Sequence, residues 1–325
     1  MSVATVSYVL TGARPVAAET RERIRLAMRD LGYEPNRLAQ GLARNRADTI
    51  AAVLPVRQAG ADPLFADFVR GAAEGAHARG FHLLVASEAN LPAPEAYGGL
   101  VRGSAAAGLI VTSIRAADPR VRALAAQGIP TVLFGHSPDC PQVPWVDVDN
   151  VDAVREAVLH LVATGRRRIA FLGGPPGFVF SADRLLGYLR GLREGGLAAE
   201  PRLIREGDLG EEDGHRLARE LLGVTAVDAF VAGSDRMAMG ALRAVRERGL
   251  RAGTEVALVG FDDSPLARAA QPPLTSVAQP LDDAGRRAAQ VLIDLLTGRP
   301  APAASLLPAV LRVRESSQTA PAPPG

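Results

Sequence analysis

A chain of 325 residues has room for about two domains, each large enough to bury its own core. An apolar share of 47% beside 22% charge excludes global disorder and collagen-like repeats, and the apolar runs are too short for a membrane-spanning helix. The net charge of +2 rests on 37 basic residues that are all arginine, and the single Cys140 excludes an intramolecular disulfide.

In chain order, the first element is a helix from Ser2 to Gly12. Ser2 is a capping serine; Val6, Val9 and Leu10 share one inward face, and Val3, Ala4, Ser7 and Tyr8 point outward. Thr11-Gly12 is a helix stop. A second amphipathic helix spans 20–32, with Ile24, Leu26, Ala27, Met28 and Leu31 apolar. It ends at Tyr33-Glu34-Pro35, because the residue before proline is disfavoured in helix. Over this stretch and the next, Arg14, Arg21, Arg23, Arg25, Arg29, Arg37, Arg44 and Arg46 oppose only Glu19, Glu22, Asp30 and Glu34. Such a basic surface suits a phosphate backbone, although a solvated helix face gives the same count. Residues 35–46 have helical spacing for Leu38 and Leu42, but Gly41 costs about 1 kcal/mol of helix propensity, so alone the segment is expected to be mostly unfolded.

From residue 49 onward, short apolar runs alternate with longer amphipathic segments. Strand-like runs fall at 49–54, 81–86, 109–112, 131–134, 168–172, 229–232 and 256–261, and helical patterns at 65–79 and 151–165. Each pair of runs is separated by enough chain for a crossover helix, which predicts an α/β, doubly wound fold with parallel sheets. So many strands suit two lobes better than one sheet, with the break near 146–150. The Pro-rich tail, 316–325, is expected to fray.

The motifs then converge. Ser2-x-x-Thr5-Val6-Ser7, Thr20-Arg21 and Leu31-Gly32-Tyr33-x-Pro35-Asn36 resemble the LacI/GalR family of bacterial transcription repressors. The resemblance covers nearly the whole chain. Gly128-Ile129-Pro130, Val148-Asp149-Asn150, the run Arg168 to Gly174, Arg184-x-x-Gly187-Tyr188, Ser234-Asp235-x-Met237-Ala238-x-Gly240-Ala241-Leu242, Gly260-Phe261-Asp262-Asp263 and Pro273-Leu274-Thr275 follow in the family's order and spacing.

This resemblance implies a helix-turn-helix headpiece at 1–34, a hinge helix or linker at 35–47 and a two-lobed core at 48–315 like that of periplasmic sugar-binding proteins. Lobe 1 would take about 48–147 plus 277–306, and lobe 2 about 148–276 plus 307–315. Val3 and Ala4 would meet base edges in the major groove, where apolar side chains touch thymine methyls but make no bidentate hydrogen bonds. Thr5, Ser7, Tyr33, Asn36 and Arg37 would hydrogen-bond phosphates and set the register, with Ser2, Tyr8 and Thr11 also among the DNA-binding residues. Leu42 matches the hinge leucine that wedges into the minor groove; the competing reading is a core-facing residue of a short helix. Tyr8 stands where the family often has arginine, and Thr11 where it often has asparagine. The chain also opens directly on the reading helix, with Met1 where the family often has valine, so the start is expected to be misassigned from an internal GTG codon.

For the effector, polar groups at strand ends facing a crevice are the expected ligands. By resemblance these are Asp149, Ser181, Arg184, Ser234 and Asp262, with Leu64 and Phe65 lining the apolar side, a set suited to the hydroxyls of a sugar or nucleoside. Ser234 stands where asparagine is common; Asp235 reads as a helix cap, Asp263 as a solvated turn residue and Trp145 as packing. The sequence has no phosphate loop, nucleophile elbow or dinucleotide fingerprint, and its five histidines show no metal-ligand spacing with Cys or carboxylates, so neither catalysis, nor a cofactor, nor a metal is expected. The expected protein is a cytoplasmic homodimeric repressor of a palindromic operator; the alternative is an intracellular sugar-binding module without DNA function, with an enzyme on the same fold as a third reading.

Overall fold

The computed structural model describes residues 2, 5, 6, 8, 9, 14–31, 48–55, 64–91, 93–103 and 105–318. Thr5, Val6, Tyr8 and Val9 are helical and half-buried. Ser2 caps them, its Oγ accepting the Thr5 amide at 3.2 Å. Helix α1 (Ala18–Asp30) buries only Ile24 of its apolar set, while Leu26 and Leu31 are exposed. Val3, Ala4, Ser7, Leu10, Thr11 and the stretch 32–47, with Tyr33, Asn36, Arg37 and Leu42, lie outside the described residues.

The remainder folds as two six-stranded sheets. The first uses β1 (Thr49–Leu54), β2 (His82–Ser87), β3 (Leu109–Val111), β4 (Thr131–Phe134), β5 (Trp145–Val148) and β11 (Ala304–Leu307), all parallel in the order β11-β5-β4-β3-β1-β2. The second uses β6 (Ile169–Gly173), β7 (Ile204–Glu206), β8 (Ala229–Ala232), β9 (Ala257–Asp262), β10 (Thr275–Ala278) and β12 (Val310–Arg312), in the order β12-β10-β9-β8-β6-β7. Only the edge strand β12 runs antiparallel.

Continuous apolar runs make sense for strands covered on both faces. In β1, Ile50, Ala52 and Leu54 join a core with α2 (Leu64–His77) and α10 (Leu281–Leu296), whereas Ala51 and Val53 face α3 (Pro94–Arg102) and α4 (Pro119–Ala126). The second sheet repeats the scheme. Ala170 and Leu172 pack toward α7 (Glu211–Val224) and α8 (Asp235–Glu247), and Ile169 and Phe171 toward α5 (Asn150–Ala163) and α6 (Val179–Glu194). The short α9 (Pro265–Ala269) follows β9. No helix among the described residues is long and apolar enough to cross a membrane.

The chain passes between sheets after Val148, returns after Ala278 and crosses again after Leu307. All three exits are at strand C-termini. Because parallel strands share one C-terminal edge, these crossings set the C-terminal edges of the two lobes against each other across a crevice.

One expectation is overturned at the end of the chain. Ser316 and Ser317 are 1% and 0% exposed, not part of a frayed tail. Ser316 Oγ donates to the Leu258 carbonyl at 2.6 Å and accepts the Thr275 amide, while Ser317 Oγ lies 2.6 Å from Thr275 Oγ1 and 2.7 Å from His160 Nε2. Burial without loss of hydrogen bonds ties this segment to lobe 2.

Candidate functional site in the interlobe crevice

The two lobes touch directly. Val179, the first residue of α6 in lobe 2, is 4% exposed and belongs to the apolar core of lobe 1. Its amide donates to the Ile114 carbonyl at 3.0 Å, and the Ala116 amide donates to the Gly177 carbonyl at 2.9 Å. Arg115 lies over the Phe178 ring, 4.6 Å from its centroid. Phe178-Val179-Phe180-Ser181 is therefore the cap and first turn of a helix that plugs into the neighbouring lobe.

Arg184, one turn further along α6, is a buried charge of the crevice, at 6% exposure. Its Nε donates to Asn150 Oδ1 at 2.8 Å and its Nη1 to the Gly233 carbonyl at 2.6 Å. The guanidinium stacks 3.6 Å from the centroid of Phe261 and 5.0 Å from that of Phe180. Burial pushes its pKa down to about 10, against the opposing fields of Asp262, Asp147 and Asp183, so it remains cationic at neutral pH.

The other expected residues divide by role. Asp262 ends β9 with a left-handed φ of 115° and accepts from Gln279 Nε2 at 2.7 Å. Ser181 is 6% exposed, and its hydroxyl has no hydrogen-bond partner among the described residues, an orphaned buried group beside Arg184's helix turn. Asp149 caps α5, with Oδ1 accepting the Asp152 amide at 2.9 Å. Ser234 caps α8 through the Met237 amide at 3.0 Å and donates to the Leu209 carbonyl at 2.8 Å, so both roles of its hydroxyl are in use. Phe65 is half-buried against the lobe 1 core; the Leu64 side chain lies outside the description.

Two expectations are corrected here. Asp235 is not the cap of its helix, since Ser234 is; Asp235 instead accepts from Ser276 Oγ at 2.5 Å and from the Ser264 amide at 2.7 Å. Burial holds its carboxyl above the usual range, against those hydrogen bonds. Asp263 is not a solvated turn residue: with φ at 50° it accepts from Arg314 Nη2 at 2.6 Å, and its side chain is only 16% exposed.

Sequence reasoning missed Asn150, which links the lobes' polar groups. It is 3% exposed; its Nδ2 donates to the Val148 carbonyl at 3.0 Å, while its Oδ1 accepts from Arg184. The signal lies in Val148-Asp149-Asn150, where the carboxylate is the more conspicuous candidate ligand. Also missed is a trio brought together by adjacent strands and interlobe contact: His136 after β4, Asp147 in β5 and Asp183 in α6, each with a donor atom within 4.8 Å of the others. Hydrogen bonding to Asp147 raises the His136 pKa, against burial. Burial raises that of Asp183, reinforced by Asp147 and Asp149 and opposed by His136 and Arg184.

Comparison with known proteins gives this geometry a context. Residues 1–36 match the profile described as bacterial regulatory proteins, lacI family, and residues 158–317 match a periplasmic binding protein-like domain. The chain is 38% identical over 318 residues to the HTH-type transcriptional regulator CelR of Thermobifida fusca, an alignment covering 96% of this chain and 94% of that one. Among solved structures, a transcriptional regulator CelR-cellobiose complex superposes with a TM-score of 0.78 at 36% identity, covering 97% of this chain and 96% of the other. A lac repressor dimer bound to operator and the anti-inducer ONPF superposes with a TM-score of 0.86 at 29% identity, covering 98% of this chain and 96% of the other.

Proposed function

The chain belongs to the lacI family of bacterial regulatory proteins, DNA-binding regulators of transcription, and on that premise we propose how its crevice controls its headpiece. A carbohydrate or similar polyhydroxylated molecule binds between the lobes. Arg184 and Asp262 take its hydroxyls from lobe 2, the orphaned Ser181 hydroxyl gains a partner, and Asp149 and Ser234 contribute mainly by holding α5 and α8 in place. The observation that carries this reading is Arg184: a buried, stacked guanidinium anchored to Asn150 and Gly233 at the seam is a preorganised hydrogen-bonding group. The CelR-cellobiose relative supports the carbohydrate class.

The protein works as a cytoplasmic homodimer that represses from a palindromic operator, as the symmetry of two equal headpieces requires. Ser2, Val3, Ala4, Thr5, Ser7, Tyr8, Thr11, Tyr33, Asn36 and Arg37 engage the DNA, and Leu42 wedges into the minor groove. The division into 1–34, 35–47 and a core from 48 follows from the same reading, with the core extended through Ser317. A non-enzymatic role is supported by the relatives, which are transcriptional regulators.

Thermal-shift screening of the core from Asp48 against sugars and nucleosides, cellobiose among them, tests the site. A ligand at 100 times its dissociation constant stabilises by about 2.7 kcal/mol. The expected result is a hit whose shift disappears in Arg184→Lys, where the planar fork is lost. A hit that shifts the variant equally would remove Arg184 from the site.

A further inference from the structure

At the crevice, one imidazole and two carboxylates from three segments of the chain converge. His136 Nδ1 lies 3.0 Å from Asp147 Oδ2 and 3.8 Å from Asp183 Oδ2. The side chains are 33%, 7% and 22% exposed, so the cluster is neither sealed nor fully solvated. We propose that His136, Asp147 and Asp183 form a divalent-cation site of the zinc class that bridges the two lobes.

The geometry is close to what such an ion needs. Donors each about 2.0–2.2 Å from a tetrahedral ion stand roughly 3–4 Å from one another, the range spanned by the two separations from Nδ1. One imidazole nitrogen with two carboxylate oxygens suits zinc or cobalt, and three protein ligands leave a fourth position for water or an effector oxygen.

Surrounding contacts orient the ligands. Asp147 Oδ1 accepts the Val148 amide at 2.8 Å, which fixes the carboxylate with Oδ2 turned to His136. Asn150 Nδ2 approaches the same Oδ1 at 3.5 Å, and the His136 ring lies 5.7 Å from that of Trp145 at an angle of 49°. Such outer contacts set ring orientation and ligand basicity.

Position gives the ion its consequence. His136 and Asp147 follow or lie in strands of the first sheet, whereas Asp183 is carried by α6, whose first residue is plugged into lobe 1. An ion held by all three favours the arrangement in which α6 meets that sheet, and Asp183 is the ligand lost when the lobes separate. The nearby guanidinium of Arg184 is directed to Asn150 and Gly233, leaving the two carboxylates to share one imidazole.

The test uses the complete gene product, tag-free and stripped with a chelator, titrated with Co2+ alone as a zinc-class probe. The expected result is one Co2+ per chain with the visible absorption of tetrahedral cobalt, and a rise in melting temperature that chelator reverses. Asp183→Asn and His136→Gln, on opposite lobes, each lower the apparent Co2+ affinity at least about tenfold while their metal-free circular dichroism overlays that of the parent. Absence of the cobalt spectrum, or equal affinity in the parent and both variants, overturns the proposal.

Discussion

Arg184, buried, and His160, half-buried, are two basic side chains of lobe 2 with different consequences for pH. Arg184 stays charged because even its lowered pKa, about 10, lies far above neutrality. His160 is half-buried against Ser317, and burial lowers its pKa below the ordinary 6.5, opposed by the Ser317 contact. The unfolded chain therefore binds a proton more readily than the folded one. The stability that neutral His160 contributes is complete above about pH 6.5 and is lost as pH falls toward the folded pKa. The melting temperature of the parent should fall more steeply from about pH 7 to pH 5 than that of His160→Gln, which keeps a donor for Ser317. Parallel pH profiles would show that His160 carries no such linkage. This histidine was invisible as a buried partner in the sequence, because Ser317 lies in a stretch whose composition reads as tail. Arg184 was legible through the spacing Arg184-x-x-Gly187-Tyr188, but its real partners, Asn150 and Gly233, come from elements that only the closed fold brings to it.

Among the elements, long apolar strands were the most readable. β1, β4 and β8 occupy the runs 49–54, 131–134 and 229–232 read from the sequence. The strands β7, β10, β11 and β12 escaped notice because they are three or four residues long and carry Arg205, Ser276, Ser305 or Arg312 in place of a continuous apolar run. In β10 the polar residues are buried only because other segments satisfy them: Ser276 bonds Asp235, and the Thr275 amide bonds Ser316. The motif glycine Gly240 likewise has a packing cause. A Cβ there would stand 1.9 Å from the Glu211 carbonyl oxygen, so α7 and α8 meet backbone to backbone. In lobe 1 a Cβ on Gly71 would stand 1.9 Å from the Asp282 carbonyl oxygen of α10. Gly71→Ala should therefore destabilise by about 1–3 kcal/mol, toward the upper end because the obstructing atom is backbone. Urea unfolding measures this directly, and a loss below about 0.5 kcal/mol would mean that the helices do not pack this closely.

For the whole molecule, three crossings and one plugged helix turn link the lobes, so a ligand in the crevice acts on their relative posture. Val179 sits in the core of lobe 1 although its helix belongs to lobe 2, and two backbone hydrogen bonds accompany it. Packed interfaces of this kind have discrete arrangements, and a ligand shifts their populations by its difference in affinity for them. The two-lobed plan was legible from the number of strand runs, but the plug was not, since Phe178 to Ser181 carries no sign of which lobe receives it. In this account the crevice and the headpiece are coupled, typically by 1–3 kcal/mol or about 5–150-fold in affinity. The most direct test is fluorescence anisotropy of the complete gene product on a palindromic site from its own promoter and on a scrambled duplex, at one fixed salt concentration, with and without the sugar or nucleoside selected by thermal shift. The account predicts preference for the palindrome and a change of at least about fivefold in its affinity when the ligand is added. Binding that ignores sequence, or an operator affinity that the ligand leaves unchanged, would contradict it.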